Sequence, residues 1–179
     1  MQDDFKTKVE LGAQIVIAIA VLAIAGVVIK RSLSPGEITP KTLPRIAVGE
    51  RLNVPNVDWE QNQKSLVFFL MKDCAYCKSS APFYRQLTED AAKRGVKVLA
   101  ILPNAVQEGS EYLRSLDLRI VDVRTGLLSS YKIPGTPTVL FVDNLGLVKS
   151  VWFGGDPRGQ KEMRDELLAL FDGGIVPAN

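Results

Sequence analysis

The stretch Phe68 to Tyr84, FFLMKDCAYCKSSAPFY, holds the only two cysteines of the 179-residue chain, Cys74 and Cys77, and the chain contains no histidine. A lone C-x-x-C pair can be half a metal site, a static disulfide or a redox couple. A zinc or copper site needs three or four ligands. Two thiolates without histidine would have to borrow ligands from a second chain, so no bound metal and no cofactor is expected. A static Cys74–Cys77 bridge closes a ring of only four residues, which restrains the unfolded chain little. The redox reading asks only for a partner's sulfurs, and the pair alone can supply the rest.

The surrounding elements must then present the pair. Leu66 to Met71 is a continuous apolar run, too short for a helix, and reads as a strand buried on both faces. A helix is expected from about Ala75 to Lys93, stopped by Gly95. Cys74 and Cys77 therefore lie past the C-terminal edge of a central strand and at the opening of a helix. That is where open α/β sheets place their sites. Unsatisfied N–H groups and the positive end of the helix dipole favour thiolate there, lowering a C-x-x-C pKa from ~8.5 to roughly 3.5–7.5. Cys74 is expected to be the more exposed sulfur and Cys77 the less accessible one.

Downstream, Val96 to Leu102 reads as a second buried strand and Ala105 to about Leu116 as a second helix. Leu118 to Val121 reads as a short third strand, and a short helix is expected near Leu127 to Tyr131. Thr138 to Val142 is a fourth strand, turned by Asn144-Leu145-Gly146 into Leu147 to Phe153, a hairpin. Gly154 and Gly155 break the strand, and Asp156-Pro157 opens a last helix to about Phe171. Leu52 to Asp58 is a candidate edge strand. The alternation predicts an α/β domain with a mixed sheet and helices on both faces.

With these elements placed, the chain resembles the thioredoxin superfamily. Three features carry the likeness: Cys74-Ala75-Tyr76-Cys77 at a helix start, Pro82 five residues after Cys77, and Ile133-Pro134-Gly135-Thr136-Pro137-Thr138 before the fourth strand. The last looks like the family's cis-proline loop, with Pro137 the cis residue. The likeness covers about Val48 to Phe171. Between Cys77 and Pro137 there is room for one more strand–helix unit than minimal thioredoxin has, and with an N-terminal anchor this is similar to TlpA-like membrane-anchored thiol–disulfide oxidoreductases.

The resemblance implies that Cys74 and Cys77 are catalytic. Cys74 attacks a partner's disulfide and Cys77 resolves the mixed disulfide. It implies that the backbone of Thr136 beside Pro137 holds the substrate strand and keeps metal ions off the thiolates, and that Ala75 and Tyr76 contact substrate and tune the potential. Protein thiols and disulfides of the cell envelope are the implied partners, cytochrome apoproteins among them, with an upstream membrane electron donor and the domain acting as a reductant. Two departures stand out. Asp73 replaces the tryptophan common before the first cysteine, and Phe68 stands where thioredoxin has a buried acid. Asp73 is expected to oppose thiolate at Cys74, and Lys72 and Lys78 to favour it. A peroxide-reducing site of the peroxiredoxin type calls for Thr-x-x-Cys, and Met71-Lys72-Asp73-Cys74 lacks the threonine. A non-enzymatic binding module or metal carrier is the alternative class.

Composition is consistent with this. Hydrophobic residues are 46% and charged ones 23%, with a net charge of +2 and no long run of either sign, so no nucleic-acid partner is expected. Leu11 to Ile29, LGAQIVIAIAVLAIAGVVI, has one polar side chain, Gln14. At 1.5 Å per residue it reaches about 28 Å, near the ~30 Å hydrocarbon core. A single transmembrane anchor is expected at 11–29, after a tail at 1–10. A proline-containing tether at 30–47 and the thioredoxin-like domain at 48–179 follow. Ala23-Ile24-Ala25 offers the competing reading of a cleaved signal peptide. Lys6 and Lys8 face Lys30 and Arg31 across the span, so charge does not orient it. A short N-terminal tail favours a bacterial cell-membrane protein with its domain outside, in the periplasm. Trp59, Trp152, Phe83 and Tyr84 read as packing residues, and Arg114, Arg119 and Arg124 as solvated.

Overall fold

A computed structural model describes residues 44–155 and 157–174, within a unit that begins at Leu43. The expected tail, the span at 11–29 and most of the tether lie outside the described residues. Among the described residues no helix is long and apolar enough to cross a membrane. Ile46, at the end of the expected tether, is buried, and its N–H bonds the Lys132 carbonyl at 2.9 Å.

The apolar run becomes the central strand β1, Lys64–Phe69, which starts two residues earlier than its hydrophobicity suggests. It pairs in parallel with β2, Lys97–Leu102, and antiparallel with β4, Thr138–Asp143. The sheet is completed by β3, Asp122–Thr125, beside β2 and by β5, Val148–Phe153, beside β4, giving the order β3-β2-β1-β4-β5. Leu66, Val67, Phe68 and Phe69 are fully buried. Each such side chain stabilises the fold by roughly 1.5–3 kcal/mol. Alternate residues feed two separate cores. Leu66 and Phe68 join one, and Val67 and Phe69 join the other.

Among the described residues all the long helices lie on the first face, not on both as expected. α3, Ala81–Lys93, contributes Leu87 and Ala91 there, α4, Val106–Ser115, contributes Leu113, and α5, Gln160–Phe171, contributes Met163 and Leu167. The second face is covered by irregular chain, with Ile46, Leu52, Val54, Trp59 and Ile133. Leu52 to Asp58 is not a strand. Its only pairing is an isolated bridge at Arg51 and the bond from Leu52 N–H to the Gly146 carbonyl, after which Asp58 caps a single turn, α1, Trp59–Asn62.

The helix expected from Ala75 to Lys93 is two helices. α2, Ala75–Ser79, ends at Ser80, and α3 begins immediately after, with Pro82 in its first turn. Pro82 has no N–H to give the Lys78 carbonyl, and its ring would strike that carbonyl in a continuous helix. Ser80, with φ −87° and ψ −3°, absorbs the change of direction. At the far end Gly95, with φ +69°, closes α3 by a Schellman pair, Val96 N–H to Ala91 O and Gly95 N–H to Ala92 O. A left-handed position of this kind favours glycine.

The third strand also differs from expectation. Leu118 and Ile120 are buried, but Val121 is exposed and the ladder forms at Asp122-Val123-Arg124-Thr125. As an edge strand it buries only Val123, so hydrophobicity marked the approach to the strand instead of the strand itself. Two strands, β2 and β3, therefore separate Cys77 from Pro137, and the short helix before Pro137 is a 3-10 turn, Leu128–Tyr131. The last helix is preceded by a second 3-10 turn, Pro157–Gly159, and Asp156 lies outside the described residues. Arg124 is not merely solvated. Its guanidinium pairs with Asp122 and donates to the Pro55 and Asn56 carbonyls, tying β3 to the covering segment.

Candidate active site

Beyond β1, Leu70 stays buried and donates its N–H to the Ile101 carbonyl, while Met71, Lys72 and Asp73 emerge into solvent. A turn from Cys74 N–H to the Met71 carbonyl aims the chain into α2. Cys74 is the N-cap of that helix, with φ −88° and ψ 110°, and its sulfur takes the place of the usual capping oxygen. It accepts the Cys77 N–H at 3.1 Å. Cys77 lies one turn on and is fully buried, whereas Cys74 is part-exposed. Both are free thiols.

The Thr136–Pro137 peptide is cis, and the loop stands directly over the pair. The Cys74 thiol donates to the Thr136 carbonyl at 3.3 Å. Gly154 N–H to the Pro137 carbonyl, 2.8 Å, and Thr138 Oγ1 to the Gly135 carbonyl, 2.8 Å, hold the loop from the sheet side. Pro137 is buried and Thr136 half-buried, and Ala75 and Tyr76 are exposed beside them. Cys74, Cys77, Thr136, Pro137, Ala75 and Tyr76 thus meet at one edge of the sheet.

The two sulfurs have opposite acidities. Burial pushes Cys74 up, but hydrogen bonds from the Cys77 thiol, at Thr136 and from the Cys77 and Tyr76 backbone outweigh it, and its pKa falls below the ordinary value. For Cys77, burial comes first and the hydrogen bond with Cys74 second, and its pKa is pushed up to about 12. Stabilisation of Cys74 therefore comes from hydrogen bonds close to the sulfur. α2 is a single short turn, so the long-helix dipole expected from the sequence is largely absent. Neither Asp73 nor Lys78 is among the groups that set the Cys74 shift. Lys72 is engaged with Glu108 at 2.8 Å.

Three features of the site had little sequence signal. Gly155 was read only as a strand breaker. A Cβ there would stand 2.7 Å from Ser80 Oγ, 3.2 Å from Tyr76 Cβ and 3.3 Å from Pro137 Cγ. Only glycine lets the turn after β5 close against both the cysteine helix and the cis-proline. Phe68, at the position expected to be acidic in a thioredoxin, packs edge-on against Tyr84, with ring centroids 5.2 Å apart at 61°. The Tyr84 and Tyr112 hydroxyls are buried without a hydrogen-bond partner among the described residues.

A five-stranded mixed sheet with a C-x-x-C at the end of its central strand and a cis-proline loop against the first cysteine defines a thioredoxin-fold protein. The chain belongs to the AhpC/TSA family, whose sequence profile matches residues 42–151. No curated protein matches it. Among solved structures it is similar to a proposed thiol:disulfide interchange protein DsbE of Chlorobium tepidum, at 17% identity over 70% of this chain and 99% of that one, with a TM-score of 0.59. It is also similar to the thioredoxin domain of a thiol-disulfide oxidoreductase of Bacteroides vulgatus, at 18% identity over 69% and 99%, TM-score 0.54. A thiol:disulfide interchange protein from a Bacteroides species shares 18% identity over 70% and 86%, TM-score 0.54. At these identities the likeness is one of fold.

Proposed function

We propose that the protein is a thiol–disulfide oxidoreductase in which Cys74 is the attacking sulfur and Cys77 the resolving one. The observation that carries this is the asymmetry of the pair. A part-exposed Cys74 is tuned towards thiolate by hydrogen bonds that it accepts, one helical turn from a buried Cys77 kept as thiol. A thiolate at Cys74 attacks a partner disulfide, and one sulfur of the partner leaves. Cys77 then attacks Cys74, releasing the partner reduced and the pair oxidised.

Substrate chain would lie along the Thr136–Pro137 loop, between Thr136 and the exposed Ala75 and Tyr76. The Thr136 carbonyl that accepts from Cys74 faces this space. Exposed Met71, Tyr76 and Val106 offer apolar contacts for a protein partner. Residues 11–29 would anchor the domain at the bacterial cell membrane, with the domain on the outer side and electrons arriving from a membrane donor. Protein disulfides of the envelope would be the substrates, and reduction the direction. The likeness of fold to thiol:disulfide interchange proteins supports this reading.

The test is reduction of insulin disulfides by the dithiol protein. Wild type is expected to turn over and Cys74→Ser to be inactive, while Cys77→Ser should accumulate a mixed disulfide through Cys74. Undiminished reduction by Cys74→Ser would overturn the assignment. Stoichiometric metal binding without exchange would favour a binding module. The equilibrium potential of the pair gives the direction, a value near ~−270 mV indicating a reductant and one near ~−120 mV an oxidant.

A further inference from the structure

The two edges of the sheet are finished differently. β3 carries Asp122 and Arg124 as an ion pair, and charge on an edge strand discourages pairing with further chain. Among the described residues β5 is covered only over its first half. There Gly49 N–H donates to the Val148 carbonyl at 2.8 Å and Val148 N–H to the Glu50 carbonyl at 2.9 Å, and Arg51 bridges Leu147 in antiparallel sense. A turn closed by Glu50 N–H to the Ala47 carbonyl, with Gly49 at φ +88°, takes the chain off the edge. Ile46 bonds the Lys132 carbonyl instead.

The second half of β5 is open. Gly154 N–H bonds the Pro137 carbonyl, and Trp152 stands opposite Val139. By the alternation of an antiparallel ladder, Val151 and Phe153 therefore turn their N–H and C=O groups away from β4. Among the described residues those groups have no hydrogen-bond partner on that side. Val151-Trp152-Phe153 carries no charge. Val151 packs against the second core, and Phe153, on the same face, is 41% exposed with the Arg45 guanidinium 5.6 Å over its ring. An uncharged, apolar strand edge with free backbone groups is a template for pairing with other chain.

We propose that the open edge of β5 docks an extended polypeptide substrate, which adds to the five-stranded sheet as a short sixth strand and leads its cysteine over the Gly154-Gly155 turn to Cys74. This deepens the redox reading above and rests on it. The edge runs directly into the loop that touches the reactive sulfur. Phe153 pairs with Thr138, next to Pro137, and the Thr136 carbonyl before it is 3.3 Å from Cys74. Residues 49–52 already use the lower half of the same edge in antiparallel sense, so extended backbone fits there. A stretch as short as Val151-Trp152-Phe153 is too little for a sheet-to-sheet interface between two copies, and enough for the main-chain bonds of a peptide. Strands lie ~4.8 Å apart, so the added strand stands about 10 Å from β4. A chain rising ~3.3 Å per residue covers that in roughly three residues. Running antiparallel to β5, the substrate has its cysteine on the N-terminal side of the paired segment. Main-chain bonds recognise extended backbone and not sequence, so the substrates are unfolded or locally extended protein disulfides in preference to small disulfides.

The test compares two disulfides on the full-length dithiol protein. One is a Thr- and Val-rich peptide whose cysteine, about three residues before the strand-forming segment, carries thionitrobenzoate as a mixed disulfide. The other is cysteine alone in the same mixed disulfide. Cys74 attacks the cysteine sulfur and thionitrobenzoate leaves, which gives the rate. The peptide is expected to exceed the small disulfide roughly tenfold in kcat/KM, through a lower KM, as a pair of backbone hydrogen bonds would provide. N-methylation of the peptide residues that face β5 removes their donors without touching the protein, and should abolish the advantage. Val151→Pro removes one outward N–H and should raise KM for the peptide severalfold, with the small disulfide unchanged. An N-methylated peptide as good as its parent overturns the docking edge while the redox reading stands. A dimer of wild type that Val151→Pro dissociates, with the peptide kinetics unmoved, assigns the edge to a second copy and overturns it too. Slowing of both disulfides by Val151→Pro marks a fold defect, and the N-methylated peptide on wild type then decides. Wild type that releases thionitrobenzoate from neither disulfide overturns the redox reading, and fluorescence anisotropy of the labelled peptide, with and without N-methylation, then decides the edge by itself.

Discussion

The Cys74 sulfur and the Thr136 carbonyl oxygen are 3.3 Å apart across 62 residues of chain. That contact joins the end of the central strand to the cis-proline loop, and on the other side the same sulfur takes the Cys77 N–H. A part-exposed sulfur that accepts a backbone N–H at short range is a poor base and a ready leaving group and nucleophile.

The first expectation concerns the two acidities. Titrated by thiolate absorbance in the dithiol form, one sulfur should ionise below the ordinary cysteine value and the other not before about pH 12. A raised pKa means that the folded state prefers the thiol. Cys77 therefore contributes stability that is fully present below its unfolded value of ~8.5 and is lost as pH rises from there towards 12. Urea unfolding of reduced wild type should thus weaken with rising pH more than that of Cys77→Ala. Parallel pH dependences would contradict the assignment.

Lys72 provides a second check. Its charge is committed to Glu108 in an exposed pair, and pairs of this kind contribute only ~0–1 kcal/mol. Lys72→Gln should leave the alkylation pH profile of Cys74 within about 0.3 units of wild type, well inside the ordinary spread. A shift of a full unit would show that charge, and not hydrogen bonding, sets the sulfur.

Gly155 and Gly154 are expected to separate packing from backbone conformation. A methyl at Gly155 meets Ser80, Tyr76 and Pro137. Overpacking of this sort costs ~1–3 kcal/mol. It should also push the cis-proline loop off Cys74, lowering disulfide exchange and restoring the Cys74 pKa towards its ordinary value. Gly154, at φ +84°, has open space around its Cβ position. Gly154→Ala should cost about 1 kcal/mol through backbone conformation alone, with the Cys74 titration unchanged. Thermal melts and Cys74 titrations of the two variants make the comparison.

Restoring an acid under the site should harm the protein. Phe68 is fully buried against Tyr84. Phe68→Asp leaves a cavity, costing ~3–5 kcal/mol as Phe→Ala does, and adds an unpaired carboxyl in an apolar core. Urea unfolding should show a loss of at least that size, and a variant as stable as wild type would mean that the core beneath Cys77 is open to water.

Much of this arrangement was legible along the chain. Leu66 to Met71 announced a strand buried on both faces because six consecutive apolar residues leave no polar face, and the structure places that strand, at Lys64–Phe69, between two partners. Gly95 announced the end of α3 because few other residues take φ +69°. Pro82 predicts a kink inside one helix, and the structure has a break at Ser80 instead, since whether a proline bends or breaks a helix depends on what the flanking turns pack against. Where pattern and outcome parted, the cause was tertiary. Asp122 to Thr125 is too polar to read as a strand, and it becomes one because β2 offers an unpaired edge. Arg124 is held by carbonyls 68 and 69 residues away, which no local pattern encodes.

The sequence by itself determined the chemistry on offer. Two cysteines three apart, without histidine, allow thiol exchange and little else, and residue type and spacing suffice to say so. Only the tertiary structure decided which sulfur is tuned and how. The cis-proline loop over Cys74 and the gap at Gly155 come from the segment before β4 and the turn after β5. Hydrogen bonds act over about 3 Å, so what a sulfur feels depends on which distant atoms the fold brings that close, a distance that spacing along the chain does not contain.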